Sequence, residues 1–491
     1  MAQHLLFRTL RSFSKREMKE FGEFIRTGFF NNRKAVKQLF DSLKKHYPDF
    51  ESSDVILRKA HSEIFPGKKF NIRTIRVLAH YLLETAKTFL TIKKLMNDKH
   101  EFAFHQITEL SNRNLIKDIG GKFERQISEL DLRTILCDHY HFQKYKFGYE
   151  KLYYLSLAHS GVFERFLEED RWQSVHRDFY IYGILNSMRL YLNILNMEII
   201  YSKRFEKKLL EKTYEGIQID DFEDNKIVLI FYYLIKIIRS SKHEEYYAKA
   251  KKLLKDLENR ICKTDLSEIY VNLKNYCKRR IAEGSAKFLS EEFAINKAEI
   301  KSETYMNERG EMPPVFYRNA VKTALIQKKF DWAVKFINKH KHELPEPVRE
   351  SSYLYSLSLC SFERGDYGKS LEFLSAVKFE EAYQKVEARI LQIMIYYELD
   401  SDETLRSSLE AFRHFIKNNK LIPEKRKIPY TGFYRALNKL ISIKKRSDVH
   451  DMIRFMDELK LWRSISNREW LVNKANTVLS EMEHHVRRKK R

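Results

Sequence analysis

The sequence predicts an all-α chain of helical hairpins behind an N-terminal helical module, and three observations predict it. Only 14 Gly and 8 Pro occur among 491 residues, together about 4.5% against roughly 12% in average usage. Sheet- and loop-rich folds need these residues in their turns, whereas each costs about 1 to 3 kcal/mol inside a helix. Helix-start signals recur along the chain. Apolar residues keep helical spacing wherever the chain is amphipathic. With 43% hydrophobic and 13% aromatic residues, there is enough apolar material for a packed core, and a mainly disordered chain is excluded.

The first module spans residues 1–110. Ser14 and Glu17 form a capping box, flanked by Phe13 and Met18 as a hydrophobic staple. Phe21, Phe24 and Ile25 continue the apolar face, and Gly28 can close that helix in a left-handed cap. Asn31 or Asn32 is expected to start a second helix carrying Val36, Leu39, Phe40 and Leu43. A third should end at Phe65-Pro66-Gly67. Asn71 should cap a longer fourth, with Ile75, Leu78, Leu82, Ala86 and Phe89 on one face.

Residues 111–311 form a central helical-hairpin region. Asn186–Tyr201 and Asn225–Ser240 are apolar nearly all round and are expected in the interior. The dense tyrosines, among them Tyr149, Tyr153, Tyr180, Tyr232, Tyr233, Tyr246 and Tyr247, are expected to pack between helices. Asp220-Asp221-Phe222-Glu223-Asp224 reads as a loop favouring the positive N-terminus of the next helix, without calcium-loop spacing.

Met312-Pro313-Pro314 is the clearest punctuation and opens the last module, 312–486. Here the sequence repeats. Leu354, Leu357, Gly365, Asp366, Tyr367, Ser370 and Leu374 make one unit. Tyr317, Ala320, Phe330, Ala333, Ile337 and Pro345 make another, 37 residues earlier at the shared positions. A third has Tyr397, Leu405, Ser408 and Phe412. These units resemble tetratricopeptide (TPR) repeats, helix–turn–helix units of about 34 residues. Two positions depart from that pattern: the turn glycine is Lys328 in the first unit, and a small residue is replaced by His340. An N-terminal helical module followed by such hairpins also resembles uncharacterised proteins of Bacteroidetes-type bacteria, which imply no activity.

The TPR resemblance implies a solenoid whose first helices line a groove for a peptide or helix. The groove-facing positions it implies are Arg318, Asn319 and Lys322 in the first unit and Tyr355, Ser356 and Leu359 in the second. Arg318 and Lys322 lie one turn apart and could attract an acidic partner. Ser466 and Glu469 read as a capping box for the final helix. Residues 487–491, Arg-Arg-Lys-Lys-Arg, read as a frayed basic tail.

Chemistry-bearing motifs are weak. Gly365-Asp366-Tyr367-Gly368-Lys369-Ser370 resembles the end of a phosphate-binding loop. That motif has four residues between its glycines and follows a strand, whereas two intervene here after a helical segment. Cys137 and His141 could share a helix face as zinc ligands do, but His139 points elsewhere and no second ligand pair follows. His340 with His342, and His484 with His485, are expected in solvent. No metalloprotease, paired CxxC, nucleophile-elbow or dinucleotide pattern occurs, so no catalytic residue, metal or cofactor is expected. The four cysteines are scattered, which fits a reducing compartment. The longest apolar run, Ile227–Ile238, holds 12 residues including Lys236 and is short of the roughly 20 a membrane span needs. The first residues lack a signal-peptide core. A cytoplasmic protein-interaction scaffold is the function these features favour, with a nucleic-acid-binding helical protein as the alternative and an enzyme whose site is assembled from distant residues as a lesser one.

The net charge of +24 bears on that alternative. Acidic residues interrupt most of the basic runs, so the charge reads as general lysine enrichment. Binding to RNA or DNA should then be weak, indifferent to sequence and lost as salt rises, because counterion release alone drives it. A salt titration on the whole chain and on a chain truncated after Glu483 checks this. Submicromolar affinity that persists near about 0.2 M salt in both would make nucleic acid the leading partner.

Overall fold

A computed structural model describes residues 2–489 except 51–52, 116–117, 133–136, 157–170, 202, 308, 380 and 463. Among the described residues there are α-helices and short 3-10 turns and no β-strand. No described helix is long and apolar enough to cross a membrane. The chain divides into two compact units, Met1–Asn186 and Ser187–Arg491. The division falls inside a long helix rather than at 110 or 311.

The first unit begins with α1 (Ala2–Arg11), α2 (Lys15–Arg26), α3 (Lys34–Lys44), α4 (Ser53–Ile64) and α5 (Ile72–Asn97). The Ser14–Glu17 capping box forms, with the Glu17 N–H donating to Ser14 Oγ at 3.1 Å and the Ser14 N–H to Glu17 Oε2 at 2.8 Å. Gly28 takes a positive φ after α2. Asn71 caps α5 by accepting from the Arg73 and Thr74 N–H groups. The α3 start differs from expectation: Asn31 Oδ1 accepts the Arg33 N–H in a turn of its own, so the helix begins at Lys34. Leu6, Phe7 and Leu10 of α1 join Phe21, Leu39, Phe40, Ile75 and Leu82 in one buried cluster. α6 (Lys99–Asn112), α7 (Ile119–Asp131) and α8 (Asp138–Ser156) build a second around Ile107, Phe123 and Phe147. The unit ends within α9 (Arg171–Tyr201).

The second unit runs through α10 (Lys208–Glu215), α11 (Lys226–Arg239), α12 (Glu244–Leu257), α13 (Lys263–Ala282) and α14 (Lys287–Ser302). It continues with α15 (Pro314–Ile326), α16 (Phe330–His340), α17 (Glu346–Glu363), α18 (Tyr367–Ser375), α19 (Ala382–Glu398) and α20 (Asp402–Asn418). It closes with α21 (Glu424–Arg446), α22 (Val449–Leu461) and α23 (Arg468–Lys489). Asn225 caps α11 through the Val228 N–H, and α11 buries Ile227, Val228, Phe231, Leu234 and Ile235 as expected. Asn186–Tyr201 is not wholly interior: Leu190, Met197, Ile200 and Tyr201 are exposed, because neighbours cover only one face of α9. The tyrosines divide similarly. Tyr247 stacks on Tyr276 at 5.0 Å and Tyr233 on Tyr246 at 5.6 Å, whereas Tyr149, Tyr153 and Tyr180 are exposed.

Helices pair in chain order, α11 with α12, α13 with α14, α15 with α16, α17 with α18 and α19 with α20. Each first helix also packs on the first helix of a neighbouring hairpin, α11 on α13, α15 on α17 and α17 on α19. Side chains lock the pairs. Tyr317 Oη donates to the Ile337 carbonyl at 2.7 Å, tying α15 to α16. Ser358 and Ser370 exchange hydroxyl-to-carbonyl bonds of 2.8 Å, tying α17 to α18. Pro313 and Pro345, which cannot continue a preceding helix, stand at the N-caps of α15 and α17. α23 starts at Arg468, and the Ser466 N–H is spent on the Pro429 carbonyl.

One turn chemistry recurs. Gly284, Lys328, Gly365 and Asp400 all have positive φ, between 48° and 96°. Each donates its N–H to the carbonyl three residues back, and the next residue donates to the carbonyl five back. This double bond satisfies the carbonyls that a helix end leaves orphaned. After Gly365, Asp366 accepts the Lys369 N–H and starts α18. The glycine of the phosphate-loop-like motif is therefore a helix-hairpin turn preceded by α17, not by a strand.

A Cβ at 365 would meet nothing within 4 Å, so Gly365→Ala adds backbone strain alone, about 1 kcal/mol. Lys328→Gly relieves the same strain and should stabilise, by less than that because glycine loses more chain entropy on folding. Opposite shifts of the urea midpoint in the two variants are the expected outcome. Calorimetric ATP binding abolished by Lys369→Ala would instead assign the Gly365 turn to nucleotide.

Candidate functional site

The first helices α15, α17 and α19 bring one cluster together. Arg318 and Lys322, one turn apart on α15, both reach Glu387 on α19. Arg318 Nε lies 3.1 Å from Oε2 and Lys322 Nζ 3.3 Å from Oε1. The acidic group expected opposite these cations is thus supplied by the chain itself, two hairpins on. Two positive charges share one carboxylate, which leaves a positive surplus. Burial pushes the Lys322 ammonium below its ordinary pKa, and Glu387 works against that shift. Water still reaches about a third of the Lys322 side chain, 36%, so the residue as a whole is not sealed in the core.

Beside this triad lies a cavity of about 280 Å³ whose lining includes Lys322, Tyr355, Leu359, Glu387, Met394, Tyr430 and Asn467. Tyr355 is buried, and that burial raises its phenol well above the usual range. Burial likewise raises Tyr430, with Glu387 adding to it. Glu363, also on the lining, is raised by burial against the pull of Lys328, 3.9 Å away. The site therefore combines apolar side chains with one lysine, Lys322, and two carboxylates, Glu363 and Glu387.

Of the six residues implied by the sequence resemblance, Lys322, Tyr355 and Leu359 line this cavity and Arg318 adjoins it through Glu387. Asn319 is half-buried and its carbonyl accepts the Thr323 hydroxyl. Ser356 is a correction: it is fully buried and its hydroxyl donates to the Ser352 carbonyl at 2.9 Å, so no ligand can touch it. Glu387, Tyr430 and Asn467 were not legible as site residues, because they come from two later helices and the turn before the last one, far along the chain.

The remaining candidates resolve into packing. His141 Nδ1 lies 2.8 Å from Asp178 Oδ1, both buried, while His139 is half-exposed and faces Asp98 at 3.9 Å. No group of three metal-ligating side chains converges among the described residues. His340 is another correction. It is buried rather than solvated, 2.8 Å from Glu343 Oε2 and packed on Phe336 and Tyr305. His342 and His484 are exposed, and the His485 side chain lies outside the described residues. α23 continues helically through Arg487, Arg488 and Lys489, while residues 490–491 lie outside the described residues.

A polar core that the sequence did not announce lies among α9, α13 and α14. Arg189 is ion-paired with the buried Asp265 and lies 3.5 Å from Glu268. Asn196 donates to Asn272 at 2.8 Å. Lys274 is ion-paired with the buried Glu299 and faces the Phe316 ring at 4.9 Å. Burial raises the Glu292 and Glu299 carboxyls and lowers the Lys274 ammonium. Buried ion pairs and amide bonds of this kind restrict how helices register on one another. No family model, curated protein or solved structure matches the chain.

Glu387→Gln should destabilise the second unit by about 1–2 kcal/mol, since it leaves two partly buried cations facing each other. Lys322→Met removes a desolvated charge while Arg318 still satisfies Glu387, and the thermal midpoint should hold or rise. Equal losses in both variants would mean that Lys322, not Arg318, is the cation that Glu387 needs.

Proposed function

We propose that the chain is a non-catalytic interaction scaffold or adaptor. It binds a peptide or helix of a partner protein in the groove formed by the first helices α15, α17 and α19. The observation that carries this reading is the cavity beside Glu387, where Tyr355, Leu359 and Met394 line an open pocket edged by Lys322, Glu363 and Glu387. Apolar anchoring at a recessed centre with polar groups at the rim is how helical grooves take extended or helical segments. The stacking of first helix on first helix supports a TPR-like arrangement, and that arrangement presents such grooves. The surplus positive charge favours an acidic segment.

The test is a comparison of partners recovered by affinity purification from the native host, with and without nuclease. The wild-type chain is set against Lys322→Glu and Ile326→Glu. Ile326 is half-exposed on the cavity lining, so its replacement blocks the groove without emptying a core. A protein recovered with wild type in the presence of nuclease, and lost in both variants, is the expected result. Recovery that depends on nucleic acid, or that neither substitution changes, would sink the groove reading.

A further inference from the structure

A second docking face lies in the same unit, on second helices rather than first. α12 and α14 belong to successive hairpins and meet through side chains. Glu244 is ion-paired with Lys287, and Glu291 takes both Lys251 and the Tyr247 hydroxyl, the latter at 3.0 Å. Beside these bridges a groove of about 680 Å³ opens between the two helices. Its floor is apolar and buried, made by Tyr247, Leu254, Leu273 and Ile295. Its lips are small: Ala248 and Ala294 are exposed and Ala298 half-buried. Larger side chains there would close it.

Charge says what fits. Both carboxylates on the lining are already engaged by Lys251, Lys287 and Tyr247. Lys252 and Lys255 stand exposed along the α12 rim, and neither is ion-paired among the described residues. The lined stretch of α12, Glu244 to Lys255, spans roughly 16 Å at 1.5 Å per residue, about three helical turns. The groove is long, open and walled by two helices. That geometry admits a third helix as ridge into groove, whereas a small molecule would leave much of the floor wet.

We propose that this groove docks a short amphipathic helix of a partner protein, with an apolar stripe against the floor and acidic residues flanking it toward Lys252 and Lys255. The site is independent of the groove beside Glu387. The probe is a labelled helical peptide of about 18 residues, long enough to cover three turns, with Leu at i, i+3, i+4 and i+7 and Glu on its flanks. A matched peptide carries Lys in place of Glu. Anisotropy on the whole chain reads both.

The acidic peptide should bind at least tenfold more tightly than the basic one. Ala294→Trp, which fills the groove from an exposed position, should weaken it at least tenfold. Reversing the rim with Lys252→Glu and Lys255→Glu should transfer the preference to the basic peptide. Ile326→Glu, which blocks the other groove, should change nothing. Equal binding of the two peptides, insensitivity to Ala294→Trp or to the double reversal, or loss on Ile326→Glu would overturn the proposal. The last outcome would place the probe beside Glu387 instead.

Discussion

An amphipathic helix covers one face against its hairpin partner, and the apolar surface that remains has to be covered by the next hairpin. Most of the second unit follows from that constraint. Tyr317, Ala320, Val321 and Ala324 on α15 are buried on more than one side, as packing against both α16 and α17 demands. Where the cover ends, apolar residues reach solvent, as Leu190 and Met197 do on α9. The turns must be short for this packing to hold, and the left-handed residues Gly284, Lys328, Gly365 and Asp400 shorten them in one way. Turn geometry and core burial are therefore two aspects of a single requirement.

That link explains which parts of the fold were legible. Caps and periodicity are local, so the Ser14 box, the Asn71 cap and the α11 core were readable from a few neighbouring residues. Gly365 was readable because glycine is the residue that enters the left-handed region without strain. Lys328 and Asp400 perform the same turn with side chains that do not advertise it, and the Gly284 turn stands outside the repeats the sequence displayed. Residue type signalled the conformation only where the chain used the least strained solution.

The site was less legible, and the reason is distance along the chain. Helical spacing places Arg318 and Lys322 on one face, but nothing local says that Glu387 will meet them. Position within a helix also misleads by single steps: Tyr355 lines the cavity while its neighbour Ser356 turns fully inward, a rotation of about 100°. His340 reads as a solvated histidine by its charged neighbours, yet Phe336, one turn earlier, draws it into the core. A partner one turn away in the helix outweighs a neighbour in sequence.

The same reasoning bears on the charge. Carboxylates number 67 against 91 lysines and arginines, and many are spent joining elements. Glu244 and Glu291 bridge α12 to α14, Glu387 bridges α15 to α19, and Glu398 holds Trp470 and Lys474 of α23. Acid used internally cannot balance lysine at the surface, so the rim of the groove between α12 and α14 stays basic at Lys252 and Lys255. A basic rim favours acidic over basic segments at close range but does not tell one acidic segment from another, since screening limits its reach to about 10 Å at ordinary ionic strength. Selectivity has to come from the shape and apolar character of each floor. Those differ: one floor is set by Tyr355, Leu359 and Met394, the other by Tyr247, Leu254, Leu273 and Ile295. On the readings proposed above, two grooves with different floors would take two different segments.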